Sequence, residues 1–438
     1  MTSTDAVAGR EAADRCPGAL RLADAADGYL ARIRLPGGFA TGEQLRLLAG
    51  LAAELGDGRI ELTSRGNVQL RALAADAAGP LTAALTRAGL LPSLDHDRVR
   101  NVLASPLAGL DGLGSGRDLT AIVAALDAGL CARPRLAQLS GRFLFAIDDG
   151  RGDVAGLGAD VVAMVRADGI LVNGLAVNGL AVNGLAVSGI AVNHPVAVPA
   201  APRGDVDSAT GDAVTGDAVT DAAVTVMLAF AEAFLDERAA AGSSAWRITG
   251  LPGGAGRVRD AVARRFGLAP GPWRPAPAAA ARPVGSVRCP VEAGGGAEPR
   301  SVTPAGLDSA VLLAPLGRLT AAQVTWLAAR LGGRPARITP WRSVVLPGQP
   351  DAAAALREAA GLGFGVDDRS PWLRVTACAG RPGCASALAD VQADAAAFAA
   401  RWPRRFVHVS GCGRHCGRPA ATEIDVTATS EGYAVAEV

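Results

Sequence analysis

The stretch Thr41-Gly42-Glu43-Gln44-Leu45, which continues to residue 73 as RLLAGLAAELGDGRIELTSRGNVQLRAL, decides the fold. Thr41 with Gln44 three residues later forms a capping box, and apolar residues then recur at helical spacing until a Gly-Asp-Gly stop at 56–58. An alternating segment at 29–35 precedes this helix, and short strand-like segments at 60–63 and 68–73 follow it. The pattern predicts a strand, a capped helix and a hairpin.

The same pattern returns about 277 residues later. A strand is predicted at 310–314, a capping box at Thr320 and Gln323, and a strand at 344–346. Further matches extend the similarity, and we align them as follows: Thr63 with Thr339, Arg65 with Arg342, residues 100–104 with 374–378, residues 141–145 with 404–408, and helix-like stretches at 119–130 and 386–400. The repeated order predicts an internal duplication.

Two close cysteine pairs lie in the second half only. They are Cys378 and Cys384, with five residues between them, and Cys412 and Cys416, with three residues between them, and glycines lie beside three of the four. Four thiolates with room for a bulky inorganic core suit a [4Fe–4S] cluster. Structural zinc is the alternative, although the first pair is wider than zinc pairs usually are.

Composition excludes several classes of protein. The 438 residues carry a net charge of +1 and are half apolar, so neither a nucleic-acid-binding surface nor a disordered chain is indicated. Every basic residue is arginine, and seven cysteines is an odd number, which favours thiols in a reducing compartment over disulfides. The first fifteen residues contain no apolar run and do not resemble a signal peptide. We therefore expect a cytoplasmic protein that binds neither membrane nor nucleic acid.

The chain divides into two halves with low-complexity inserts in the first. The expected divisions are a disordered N-terminus at 1–15, a half-domain at 16–92, a module at 93–265 with inserts at 169–202 and 204–225, a linker at 266–283, a half-domain at 284–365 and a module at 366–438 that carries the cysteines. The first insert repeats a five-residue unit with a glycine and usually an asparagine. A membrane helix would turn those polar groups to all sides, so we expect a strand-like segment or a loop instead.

Arginines recur beside the short apolar strands of both halves. Six are candidates for an anion site in a cleft between the halves: Arg65, Arg71, Arg100, Arg142, Arg342 and Arg374. Guanidinium groups suit carboxylates, so the expected ligand is polyanionic. Three histidines, His96, His408 and His415, are candidates for a second, mononuclear iron held by two histidines and a carboxylate.

These motifs resemble the sulfite and nitrite reductase superfamily across nearly the whole chain. The resemblance lies in the cysteine spacing, in Leu-Thr-Ser-Arg-Gly-Asn-Val-Gln-Leu-Arg at 62–71, in Arg-Asn-Val at 100–102 and in the duplication. Arg-Cys-Pro-Gly at 15–18 and two stretches within 339–348 are most similar to the precorrin-3B synthases of that superfamily. The implied fold is α+β, with two ferredoxin-like half-domains and two α/β cofactor-binding modules related by pseudo-twofold symmetry.

The resemblance implies a monooxygenase of aerobic cobalamin biosynthesis. Its substrate would be precorrin-3A, a tetrapyrrole with eight carboxylates, hydroxylated at C20 with closure of the ring-A acetate into a γ-lactone. The implied oxidant is O2, and the implied electron source is NADH, through a partner reductase or ferredoxin. Cys378, Cys384, Cys412 and Cys416 would hold the [4Fe–4S] cluster. The catalytic residues that activate oxygen are not indicated.

The alternative within the superfamily is a sirohaem-dependent sulfite or nitrite reductase. In those enzymes the residues that match Arg65, Arg100 and Arg142 hold the sirohaem carboxylates, and the match to Cys416 bridges to sirohaem. Where the reductases carry Lys-x-Lys, this chain has Arg142-Phe143-Leu144, which lacks the second base as a proton donor. That departure favours the synthase. A non-catalytic protein with zinc in the cysteine site is a third possibility.

Overall fold

A computed structural model describes residues 14, 16–166, 169–177, 217–269, 284–289 and 307–438. The expected disordered N-terminus, most of both inserts and most of the linker lie outside these residues. The described part is an α+β fold, as predicted, and the order of elements in its first half is repeated in its second.

The first half begins with β1 (Ala23–Ala25), β2 (Gly28–Ile33), β3 (Phe39–Ala40), α1 (Gly42–Leu55), β4 (Arg59–Leu62), β5 (Val68–Leu73) and α2 (Ala78–Arg87). It continues with β6 (Val102–Ala104), α3 (Thr120–Cys131), β7 (Phe145–Asp148), β8 (Val161–Arg166), β9 (Gly169–Val172), β10 (Leu175–Ala176), α4 (Asp217–Ala240) and α5 (Gly254–Phe266).

The second half begins with β11 (Gly285–Val287), β12 (Asp308–Leu313), β13 (Arg318–Thr320), α6 (Ala321–Arg330), β14 (Ala336–Ile338), β15 (Ser343–Gln349) and α7 (Ala352–Gly361). It ends with β16 (Val375–Ala377), α8 (Val391–Arg401), β17 (Val407–Ser410), β18 (Ile424–Thr429) and β19 (Gly432–Glu437).

The two ferredoxin-like sheets exchange one strand each. Their strand orders are β1-β2-β5-β4-β13 and β11-β12-β15-β14-β3, so each sheet takes its last strand from the other half. The exchanged strands lead into α1 and α6, which pack against each other. Both predicted capping boxes are present, since the Thr41 and Thr320 hydroxyls each accept the backbone N–H of the glutamine three residues on. One apolar core therefore joins the two halves.

The two modules are built on sheets that begin with parallel strands. In the first module β6, β7 and β8 are parallel, and in the second β16, β17 and β18 are parallel. Helix α4 packs against the first sheet, with Phe230 and Phe234 in its core. Among the described residues α4 is the one helix long and apolar enough to cross a membrane, but its burial within this module explains its apolar composition.

The second insert ends earlier than expected. Residues 217–225 belong to α4, and Ala222, Ala223 and Val224 are buried in the core of the first module. Low compositional complexity thus coincides with a regular helix there, because alanine and valine fill one packed face. The first insert begins as the β9–β10 hairpin, in which the repeat unit forms strands.

The duplication holds, but the sequence alignment is wrong by one residue at the arginines. The Thr63 and Thr339 amides donate to the carbonyls of Asn67 and Ser343, both at 2.9 Å, so the two turns superpose. Arg342, with a φ of +62°, therefore matches Gly66, with a φ of +65°, and not Arg65.

The modules show the same displacement. The amides of Phe145 and Val407 donate to the carbonyls of Asn101 and Arg374, at 3.0 and 2.8 Å. Arg374 therefore matches Asn101 and not Arg100. Identical side chains guided the alignment, whereas the backbone hydrogen bonds set the register. The arginines consequently do not recur at equivalent points.

Candidate active site at the cysteine loops

The four cysteines lie in two loops at one edge of the second module. Cys378 directly follows β16, and Cys412 follows β17 by two residues. Because β16 and β17 are neighbouring parallel strands, their carboxyl ends meet at the same edge, where ligands of α/β sheets bind. All four thiols are free, and Cys416 is the exposed member.

Backbone hydrogen bonds hold the two loops together. The amide of Gly411 donates to Sγ of Cys378 at 3.1 Å, and the amide of Leu388 donates to the carbonyl of Gly411 at 2.8 Å. A Cβ on Gly411 would lie 2.7 Å from the Cβ of Ala387, so only glycine permits this approach. Hydrogen bonds to sulfur of this kind tune the reduction potential of iron–sulfur clusters.

The cysteine sulfurs are not as close together as those of a closed tetrahedral zinc site. Sulfurs of a tetrahedral zinc site lie about 3.8 Å apart, given a Zn–S bond of about 2.3 Å. In the described part of the chain, the one group of three possible ligand atoms within 4.8 Å of one another is Asp148, Asp149 and Asp153. No three cysteine sulfurs are that close. In an iron–sulfur cluster each thiolate binds a different iron, which suits a wider arrangement.

Several buried polar atoms beside the cysteine loops have no hydrogen-bond partner among the described residues. They are Nε2 of His408, Oγ of Ser410, Oδ1 of Asp425 and Oε1 of Gln392. Buried polar groups are normally satisfied, so a concentration of unsatisfied ones marks a place where a further group belongs. The four thiols and the loop geometry fit a resident [4Fe–4S] group.

A cavity lined by arginines adjoins the first cysteine loop. It measures about 240 Å³, and Ala377 and Ala379, which flank Cys378, form part of its wall. A second cavity of about 130 Å³ shares Leu316 and Arg342 with it and extends along β16 to Val375. The two cavities form a cleft between the ferredoxin-like sheets and the cysteine module.

Arg32 and Arg342 are the distinctive cations of this cleft. Burial lowers the pKa of both guanidinium groups. Arg32 donates to Oε1 of Gln69 at 3.1 Å, but within the described part neither arginine has a carboxylate oxygen within 4.0 Å. Arg342 passes over Gly317, where a Cβ would lie 2.6 Å from its Cδ. Two half-buried cations without an ion-pair partner, against the single carboxylate of Glu61 in the same lining, make the cleft a site for anions.

Arg71 lies in the same wall but is already paired. Its guanidinium forms two 3.0 Å hydrogen bonds with Asp27 and donates at 3.0 Å to the carbonyl of Gly383, next to Cys384. Its role is therefore to fix the cysteine loop to the first ferredoxin-like sheet.

Three other predicted arginines surround the cleft without joining Arg32 and Arg342 as lining residues. Arg65 donates to the carbonyl of Gly141 at 3.1 Å, and burial together with neighbouring Arg247 lowers its pKa. Arg142 lies 4.1 Å above the ring of Trp246, and Arg374 lies 5.8 Å above the ring of Phe406.

Arg100 contradicts the sequence expectation. It is 3% exposed, forms two hydrogen bonds with Asp127 at 2.7 and 2.6 Å, and donates to the carbonyl of Leu90. With its donors engaged inside the first module, it is a structural ion pair and not a ligand for a carboxylate.

The three predicted histidines do not form one site. His96 is buried, with Nδ1 2.8 Å from Oγ of Ser93 and Nε2 3.0 Å from the carbonyl of Arg133, so both nitrogens are occupied. His408 and His415 lie in the second module, beside Asp425. Burial lowers the pKa of His408 to about 4, which keeps its ring neutral. His96 therefore cannot share an iron with His408 and His415.

Sequence reasoning missed Arg32, Gln69 and Gln392, which line the arginine cavity. The sequence does show that Arg32 and Arg34 both alternate with apolar residues in the segment at 29–35. In the structure Arg34 is fully buried. Arg34 donates to the carbonyls of Pro17 and Arg98, and burial lowers its pKa to about 9. Nothing in the sequence distinguished the arginine that faces the cavity from the one in the core.

Ser105 is the counterpart of Cys378 in the first half. The amides of Ser105 and Cys378 donate to the carbonyls of Ile147 and Val409, both at 3.0 Å. The amide of Asp149 donates to Oγ of Ser105 at 3.1 Å, as that of Gly411 does to the sulfur. The first half therefore has Ser105 where the second half has Cys378, and Asp149 where the second half has Gly411.

Comparison with known proteins agrees with this architecture. Residues 23–88 match the nitrite/sulfite reductase ferredoxin-like half domain. A ferredoxin–nitrite reductase of Synechococcus elongatus is 33% identical over 129 residues, which cover 28% of this chain and 25% of that protein. A precorrin-3B synthase of Sinorhizobium is 31% identical over 110 residues, 24% of each chain. The matches thus span about a quarter of the length of these curated relatives.

A solved structure extends the similarity to most of the fold. The Mycobacterium tuberculosis NirA protein superposes with a TM-score of 0.65 at 20% identity, over 93% of this chain and 73% of that one. Its fold matches the two strand-exchanged sheets and the two modules together. The half-domain match, the two kinds of relative and this shared fold together support membership of the nitrite and sulfite reductase superfamily.

Proposed function

We propose that this chain is an oxidoreductase that acts on a tetrapyrrole polycarboxylate, with the activity of a precorrin-3B synthase. One observation carries the proposal: Arg32 and Arg342 line a cavity beside Cys378, and neither has an acidic partner in the described part of the chain. Half-buried guanidinium groups that outnumber the one carboxylate of the cavity, Glu61, suit a ligand that brings its own carboxylates.

The residues of the site have separate roles in this proposal. Cys378, Cys384, Cys412 and Cys416 would hold a [4Fe–4S] cluster, which supplies one-electron transfer when bound. Arg32 and Arg342 bind substrate carboxylates, and Leu316 with Trp341 and Trp372 gives the adjoining cavity apolar walls that exclude water. Arg71 keeps the cysteine loop in position through the Gly383 carbonyl.

Position 144 supports a monooxygenase over a reductase of small anions. The side chain of Leu144 is 3% exposed and packs with Leu103, Ala146, Val154 and Val162. It therefore offers no proton to a substrate, whereas reduction of nitrite or sulfite needs several. The sirohaem-dependent reductase remains the second candidate, because the matching half-domain and the nitrite reductase relatives belong to that chemistry.

The proposed reaction needs partners beyond this chain. Hydroxylation of precorrin-3A would consume O2, of which one atom enters the macrocycle and the other leaves as water, with two electrons and two protons. We propose NADH as the electron source, through a reductase or ferredoxin, in the cytoplasm. A second, mononuclear iron at His408 and His415 is part of the same proposal.

Absorption of the anaerobically purified protein tests the proposal. Cluster absorbance without a Soret band, together with O2-dependent conversion of precorrin-3A to a product 16 mass units heavier, is expected. An intense Soret and α band with nitrite or sulfite turnover would contradict the synthase and support the reductase. One zinc with no iron or sulfide would refute both. Arg32→Gln should weaken precorrin-3A binding, while Arg357→Gln, an exposed arginine on α7, controls for charge.

A further inference from the structure

A third cavity, of about 420 Å³, lies between the first module and the second ferredoxin-like sheet. Its walls are largely apolar and include Pro106, Leu107, Val287, Val311, Trp341 and Val345. Three of these wall residues, Leu107, Val311 and Val345, belong with Leu110 to one buried apolar cluster, and Val287 packs against it. A volume within the usual range of small-molecule pockets, with mostly apolar walls, is typical of a ligand site.

This cavity is the pseudo-twofold counterpart of the arginine cavity. Arg32 pairs with Gln69 across β2 and β5, and Val311 pairs with Val345 across β12 and β15. The matched turns at Thr63 and Thr339 make Val345 the equivalent of Gln69. Val311 therefore stands where Arg32 stands in the other half. The second half therefore has a cavity at the equivalent place, but with Val311 in its wall instead of an arginine.

One cation remains at the rim of the apolar cavity. Arg288 lines it, is exposed, and has no ion pair among the described residues. By contrast, Arg151 at the inner end is engaged by Asp111 and Asp149 at 2.7–2.9 Å. The cavity thus offers one free positive group and a long apolar wall.

The inner end also holds a protonatable carboxyl group. Asp153 is 6% exposed and accepts a 2.6 Å hydrogen bond from Ser105 at Oδ1. Burial raises its pKa to about 7, so near neutral pH it is partly uncharged. A neutral acid does not oppose the burial of an apolar molecule beside it.

We propose that this cavity binds a small apolar molecule that carries one anionic group. The apolar body lies against Val311, Val345 and Trp341, and the anion pairs with Arg288. A polycarboxylate does not suit this site, because Val311 replaces Arg32 and the inner end carries Asp111 and Asp153. The inference does not depend on the proposed function, since it concerns a different cavity, the one related to the arginine cavity by the pseudo-twofold.

Two matched fluorescent probes test the inference on the full-length holoprotein. The probes are 8-anilinonaphthalene-1-sulfonate and its neutral analogue N-phenyl-1-naphthylamine. We expect one molecule of the sulfonate per chain, bound roughly tenfold more tightly than the neutral probe. Arg288→Gln should remove that difference, whereas Arg357→Gln, with the same charge change on α7, should keep it.

Filling the cavity provides the second arm. Val345→Phe should weaken binding of both probes, with the melting temperature used to verify folding. Arg288 is exposed, so Arg288→Gln decides the matter even if the core variant does not fold. Equal affinity for the two probes, or an unchanged sulfonate affinity in Arg288→Gln, would overturn the proposal. Loss of binding in Arg32→Gln alone would place the probe in the arginine cavity and overturn it as well.

Discussion

Arg71 donates from Nη2 to the carbonyl oxygen of Gly383 at 3.0 Å, across 312 residues of sequence. This hydrogen bond joins the first ferredoxin-like sheet to the residue before Cys384. Because the same guanidinium is paired with Asp27, the sheet fixes the arginine and the arginine fixes the loop. The attachment explains how a loop without helix or strand can hold a cysteine in place.

Replacing Arg71 should therefore weaken the cysteine loop before it affects the ligand. In Arg71→Gln, Asp27 loses its partner, and breaking a buried ion pair costs about 3–5 kcal/mol. We expect faster loss of the iron–sulfur absorbance under air and a changed midpoint potential of the cluster. Asp27→Asn is the matched variant that leaves the Gly383 hydrogen bond possible, and it should lose the absorbance more slowly. Equal stability of the chromophore in wild type and Arg71→Gln would contradict this role.

Arg100 gives the opposite prediction, since its contacts are internal to the first module. Arg100→Met leaves the carboxylate of Asp127 without its partner, so the free energy of unfolding should fall by about 3–5 kcal/mol. The double variant Arg100→Met/Asp127→Leu should recover much of this loss, because an apolar pair can replace a buried ion pair. Urea denaturation measures both. Weakened ligand binding at unchanged stability would instead support the carboxylate role expected from sequence.

The contrast between these arginines shows what the sequence could and could not determine. Capping boxes and strand periodicity are local patterns, and they predicted the repeated order of strands and helices correctly, whereas the α+β class came from the family resemblance. Whether an arginine faces a cavity or an aspartate depends on partners far away in the chain, such as Gly383 for Arg71 or Asp127 for Arg100. The strand exchange through β3 and β13 is equally invisible, because two or three residues carry no periodicity.

The pKa of Asp153 predicts a specific dependence of stability on pH. Burial raises it from about 3.9 in the unfolded chain to about 7 in the fold. The protonated form is favoured in the fold, so this stabilisation is complete below pH 4 and is lost as the pH rises through 7. At about 1.4 kcal/mol per pH unit, the loss is at most about 4 kcal/mol.

Asp153→Asn isolates this effect, because asparagine stays neutral at every pH. The variant should match the wild type below about pH 4 and become progressively more stable than it above that pH, so the difference between their denaturant midpoints should be larger at pH 8 than at pH 5. Asp118→Asn, which removes the partner of Arg337 instead, should destabilise the fold at both. A stability difference between Asp153→Asn and wild type that does not change with pH would show that Asp153 is ionised throughout.

The equivalence of Ser105 and Cys378 yields a matched pair of variants. Cys378→Ser keeps the hydrogen bond from the amide of Gly411 possible but removes a thiolate ligand, so iron and sulfide content should fall together with the visible absorbance. Ser105→Ala leaves the amide of Asp149 and Oδ1 of Asp153 without their partner and should cost about 1–3 kcal/mol of stability. Its iron content should equal that of the wild type, because the first half lacks thiolates at this position. Iron loss in Ser105→Ala, or full iron content in Cys378→Ser, would show that the metal is held elsewhere.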